Sequence, residues 1–206
     1  MKELITLILV LASLTHCEAQ TKTKEKDNAI IFAFIPSSFH NIYGVSIGPI
    51  GSESICNRPY TKFSHGLNVQ IPGQGILQVF YLLNNPYKKA LTEKEYLNEM
   101  LRVDSTLYKA IHNGIIISIL GTFTDKINGI SISLFMSMGK EINGVSINPF
   151  WNLYTKNNGV CIGLFNTSLE TKGIQIGLVN STVNIKGVQL GLWNRNKKRS
   201  APFVNW

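Results

Sequence analysis

Between Gly159 and Asn194 the sequence reads GVCIGLFN-TSLETK-GIQIGLVN-STVNIK-GVQLGLWN. Three eight-residue phrases open on glycine, carry an aliphatic residue one, three and five places later, and close on asparagine. Working back along the chain, the pattern recurs from Gly114, Gly129 and Gly144. The six glycines are spaced 15, 15, 15, 14 and 14 residues apart. Asn113, Asn128, Asn143 and Asn158 precede the first four, and Lys172 and Lys186 the last two. Gly44–Ile50 (GVSIGPI) fits the unit, and Gly66–Pro72 (GLNVQIP) fits it more loosely.

Alternation with period two marks a strand with two unlike faces. One face holds Ile117, Ile132, Ile147, Ile162, Ile176 and Leu190, flanked by aliphatic residues two places to either side, with Pro149 the exception. The other holds Ser131, Ser146, Gln175 and Gln189, with Ile116 and Cys161 out of pattern. Hydrophobicity assigns the aliphatic face to the core. Ile162 and Ile176 are then expected inside, and Gln175 outside. Alternation stops six places after each glycine, at Leu120, Phe135, Phe150, Phe165, Val179 and Trp193, which suggests a bend. Asn166, Asn180 and Asn194 follow, either stacked as a hydrogen-bonded ladder or as an ordinary polar turn. One unit buries too little to offset the entropy of ordering it, so units must stack.

The fold class is therefore all-β: a repeat protein, a β-solenoid-like stack of 14–15-residue units. Near-constant spacing favours one coil per unit. The Asn-Gly pairs favour an antiparallel meander or barrel as the alternative. Upstream, Ala29–Ile35 (AIIFAFI) reads as a buried first strand. Thr92-Glu93-Lys94-Glu95 has the form of a capping box, with apolar residues at helical spacing after it, so a helical insertion is expected near 92–111.

The N-terminus is a separate object. Leu4–Leu14 is an unbroken apolar run, too short to span a bilayer and suited to a signal-peptide core. Cleavage after Ala19 would leave a 20–40 N-terminal segment and a single β-repeat domain over 41–206. Lipidation of Cys17 is the other processing route, and the bulky His16 before it fits that route poorly. Cleavage removes Lys2, Glu3 and Glu18 and raises the formal charge from +8 to +9. With 44% hydrophobic and 16% charged residues, the chain is not of disordered composition. Lys22, Lys24 and Lys26 lie near one end and Arg195, Lys197, Lys198 and Arg199 near the other. These read as solvated termini or as contacts with an anionic envelope surface. Cys56 and Cys161 are far apart in sequence and read as two lone thiols.

The units GVCIGLFN, GIQIGLVN and GVQLGLWN, with Gly66–Gly75 (GLNVQIPGQG) and Arg199–Trp206 (RSAPFVNW), resemble a surface-repeat family. That family comprises uncharacterised bacterial envelope proteins of leptospiral and Bacteroidota type. The resemblance covers most of residues 41–206. It implies export to the cell surface, outer membrane or periplasm, and no activity. The unit at Gly144 departs from the pattern, with Asn148-Pro149 where Gly-Leu is usual, and a kinked coil is expected there.

Catalysis needs titratable groups that converge. His40, His65 and His112 are not spaced for a metal site and read as loop or edge residues. Asp125, Glu141 and Glu170 read as solvated charges in linking segments. No nucleophile elbow or phosphate loop is present. The sequence thus points to a non-enzyme without cofactor, a scaffold or binding module for envelope lipid, glycan or protein and not for nucleic acid. An outer-membrane β-barrel is the alternative, suggested by the aromatic Trp206. Phe135, Phe150, Phe165 and Trp193 are a candidate binding stripe, with core or corner packing as their other reading.

Overall fold

The computed structural model describes residues 29–37, 39–51, 61–75 and 110–206. Its strands are β1 (Ala29–Phe34), β2 (Asn41–Gly48), β3 (Lys62–Gln70), β4 (Ala110–Ser118), β5 (Thr122–Phe123) and β6 (Lys126–Ser133). They continue with β7 (Met136–Ile147), β8 (Trp151–Ile162), β9 (Phe165–Ile176), β10 (Val179–Arg195) and β11 (Ser200–Asn205). The sheet runs β1-β2-β3-β4-β6-β7-β8-β9-β10-β11, with β5 beside β7. Among the described residues every pairing is parallel except β10 with β11.

Parallel neighbours in sequence order, one per unit, make a β-solenoid of about eight turns, not a meander or a barrel. Equivalent residues stack in register, so Gly66, Gly114, Gly129 and Gly144 lie in one column. The column needs glycine because coils approach closely there. At Gly173 (φ 146°) a Cβ would sit 2.0 Å from the carbonyl oxygen of Gly159.

The expected faces are reversed. Ile162 and Ile176 are 36% and 38% exposed, whereas Gln175 is 1% exposed. Ser131, Ser146 and Gln189 are buried with it. Ile116 and Cys161, the two apolar residues in that row, join Ile127, Ile142 and Tyr154 in a core cluster. The interior is therefore mixed: Ile, Leu, Met and Tyr154 share it with a row of serines and glutamines that bond to one another, and the aliphatic rows of the same strands point outward. At the corner, a Cβ on Gly177 would lie 2.1 Å from the Gly163 carbonyl oxygen.

The corner asparagines and the inward hydroxyls are tolerated because they bond to one another, whereas the Asn157 amide is buried without a side-chain hydrogen bond. Asn152, Asn166 and Asn180 each donate through Nδ2 to the Oδ1 of the next asparagine, at 2.8, 2.7 and 2.7 Å, the last acceptor being Asn194. The corner ladder read from three asparagines thus has a fourth member, Asn152. Asn148 extends it, donating to Asn152 Oδ1 at 2.5 Å. The departure at Asn148-Pro149 is absorbed in this way, and β7 and β8 stay paired from Met136–Trp151 to Ile147–Ile162. A second network joins buried hydroxyls: Thr122 to Ser137 at 2.7 Å, Ser131 to Ser137 at 3.0 Å, and Ser146 to Tyr154 at 2.9 Å.

Other expectations also change. The helix near 92–111 falls on residues outside the described ones up to 109, and Ala110 and Ile111 begin β4. β1 is not a buried strand: Ala33 is inside, but Ile31, Phe32 and Phe34 are exposed. The acidic residues are not solvated linkers. Glu141 lies in β7, 3.0 Å from Lys126, and Asp125 is buried, 3.6 Å from Lys140. Glu170 stands within β9. His112 is buried within β4 and bonded to Ser64, not at an edge.

Candidate functional site

Since the coil turns its polar row inward, the outward surface is a ridged aliphatic plane. Its middle row, three places after each glycine, comprises Ile117, Ile132, Ile147, Ile162, Ile176 and Leu190, all between 36% and 41% exposed. Parallel rows lie two places to either side. The plane continues past the repeats at both ends. In β1, Phe32 pairs with Val45 and Phe34 with Ile47, so two exposed rings prolong the rows at the first coil. In β11, Val204 pairs with Leu190, and Trp206 follows on the same side, with Asn205 buried between them. The Arg199 guanidinium lies 3.8 Å from the Trp206 ring centroid.

Two rims bound the plane. The residues before the glycines make the first. Along it Tyr43 stacks on His65 with ring centroids 4.8 Å apart, and Asn113, Asn128, Asn143 and Asn158 form an outer ladder with steps of 2.7, 2.7 and 2.8 Å. Exposed Lys172 and Lys186 end it. The second rim carries the stripe named from sequence. Phe135 and Phe150 stack at 4.8 Å, and Phe150 meets Phe165 edge-on at 5.7 Å. Phe150 and Phe165 are exposed, and Phe135 packs partly on the Met136, Met138 and Leu153 cluster. Trp193 is exposed on the same rim but separate from these rings, since Val179 is the residue paired with Phe165.

Titratable groups do not gather on this plane. The row three places before the glycines alternates in sign, Lys126, Glu141, Lys156 and Glu170 in register, as a charge ladder in the wall would. Desolvation inside the β4 coil lowers the His112 pKa to about 4, so it is neutral at pH 7. Burial pushes the Tyr154 phenol and the free Cys161 thiol far above their usual ranges, so both keep their protons and Cys161 is a poor nucleophile. Among the described residues, no group of three or more His, Cys, Asp and Glu could hold a metal ion.

The geometry defines a β-solenoid with an outward apolar plane. No family model, curated protein or solved structure matches the chain. Of the stripe read from sequence, Phe135, Phe150 and Phe165 adjoin one another and Trp193 stands apart, while the plane was missed, having been placed in the core. Ile116 and Cys161 carried the signal: the row where rare apolar residues interrupt polar ones was the buried row.

Proposed function

We propose that the chain is a non-catalytic exported protein of the bacterial envelope or surface, and that its aliphatic plane is a docking surface. The observation that carries this is the plane itself. Soluble monomers rarely expose contiguous apolar patches beyond a few hundred Å2, and larger ones mark interaction sites. Here rows of Ile, Leu and Val, interrupted by Pro49 and Pro149, face outward from β2 to β10. Leu4–Leu14 supports export, and the GVQLGLWN-type units support an envelope role through the family they resemble.

Cell fractionation tests the proposal. The mature chain is expected in the envelope fraction, beginning at Gln20. The envelope extract is expected to hold the chain in an assembly larger than itself, and an Ile132→Glu, Ile162→Glu chain, altered only on the plane, is expected to run at the size of the free chain. An intact Met1 in cytosol overturns export, and an unchanged assembly size of the variant overturns docking through the plane.

A further inference from the structure

We propose that the aliphatic plane is the contact between two copies of this chain, packed face to face with their stacking directions opposed. This rests on reading the plane as a docking surface, and it names the occupant.

The first argument is area. Ten strands in the stacking path, about 4.8 Å apart, give a plane about 43 Å long. Its three rows span four residues of rise, about 13 Å. The projected area is on the order of 600 Å2 per copy, or about 1,200 Å2 for the pair, which reaches the lower bound of specific interfaces. Ridged side chains make the accessible area larger than the projection. No charged residue stands in the three rows, so pairing leaves no ion desolvated against apolar surface.

The second argument is end-to-end complementarity. A two-fold axis along the strand direction keeps each rim against the same rim of the partner and reverses the order of coils. Tyr43 and His65, at one end of the first rim, then lie opposite Lys186 and Lys172 at the other. The ammonium groups then lie against the stacked Tyr43–His65 pair and not against one another, which keeps the four lysines apart. The outer asparagines meet asparagines. On the second rim Phe135 faces Phe150. At the ends, Phe32 and Phe34 meet Val204 and Trp206. A two-fold interface requires this kind of self-complementarity. An axis along the solenoid would lay the lysine-bearing rim against the aromatic rim and set each end on its own copy.

Sedimentation equilibrium of the purified chain is expected to show a dimer. Ile162→Glu should weaken it at least 100-fold, with its circular dichroism unchanged. Asn184→Glu, exposed but off the plane, should leave it intact. For orientation, chains carrying Ile47→Cys and Leu190→Cys are mixed and oxidised in a background with Cys17 and Cys56 replaced by serine. Links between the two kinds of chain are expected, and Ile47→Cys chains linked to each other overturn the opposed packing. A monomer that co-sediments with phosphatidylglycerol vesicles, and loses this on Ile162→Glu, overturns the second copy in favour of a lipid surface and leaves the docking reading standing. A monomer without vesicle binding also overturns the second copy. The docking reading then stands or falls on whether the Ile132→Glu, Ile162→Glu chain loses the larger assembly held in the envelope extract.

Discussion

Gln175 and Ile162 show how one side chain's surroundings set the cost of changing it. Gln175 accepts from Gln189 Nε2 at 2.8 Å and donates to Ser168 Oγ at 3.2 Å, inside the coil. A carboxylate there keeps the acceptor, loses the donor and buries a charge. Gln175→Glu is therefore expected to destabilise by several kcal/mol, whereas Ile162→Asp, on the outer plane, should cost about 1 kcal/mol at monomer concentrations. Urea unfolding of the two variants checks the order, and the reverse order would put the aliphatic rows back inside. The two faces were legible as an alternation but not as inside and outside. Hydrophobicity fails to set the inside where the polar row can satisfy itself, as Gln189 does on Gln175 and Ser131 with Ser137. His112 gives a second test. Its pKa is lowered from 6.5 to about 4, chiefly by desolvation. Between those values the unfolded chain takes up a proton that the folded chain refuses, so this contribution is complete above pH 6.5 and lost as pH falls toward 4. From pH 7 to pH 5 the loss is about 2 kcal/mol. A His112→Gln chain should show a flatter pH dependence over that interval, and an unchanged slope would assign the effect to other groups.

A single coil is held by two kinds of repetition, and the sequence showed them unequally. The glycine column was plain from spacing alone, because only glycine allows the approach seen between Gly159 and Gly173. The corner ladder was half legible: Asn166, Asn180 and Asn194 share one repeat position, but Asn152 sits one place later in a fifteen-residue unit and joins them only through the longer bend at Asn148–Phe150. The helical pattern near 92–111 ends on Ala110 and Ile111, where periodicity 3.6 and a strand's alternation both fit so short a run and pairing with β3 decides for the strand. Asn166 is the member to test. It accepts from Asn152 and donates to Asn180 and to the Ile176 carbonyl at 2.9 Å. Asn166→Leu removes these three and the longer bond to the Gly163 carbonyl at 3.3 Å, and leaves buried partners unsatisfied, at an expected cost of about 2–4 kcal/mol. Asn158→Leu, in the half-buried outer ladder, should cost less than half as much because water reaches its partners. Thermal unfolding of the pair measures the difference, and equal costs would mean that the inner ladder is not the stronger constraint.

At the scale of the whole molecule, a parallel stack has two open ends, and each is a template for further strands. At the last coil β10 is covered by β11, which runs antiparallel and so cannot continue the repeat. Asn205 fastens it, donating from Nδ2 to Gln189 Oε1 at 2.8 Å and accepting from Arg199 Nε at 2.5 Å. The cap is also a poor template itself. Pro202 offers no N–H, the register shifts between Gly191 and Asn194, and Phe203 stands at φ 61°, a conformation that side chains other than glycine seldom take. Lys197 and Lys198 add exposed charge beside it. Removing residues 200–206 should therefore expose the β10 edge without disturbing the glycine column or the corner ladder. The truncated chain is expected to keep its β spectrum and to grow end to end into fibres along the solenoid axis, seen as rising light scattering and 4.8 Å cross-β diffraction. This growth differs from pairing through the aliphatic plane, so adding Ile162→Glu to the truncation should not stop it. A truncated chain that keeps the size of the intact one would show that β11 is not what closes this end.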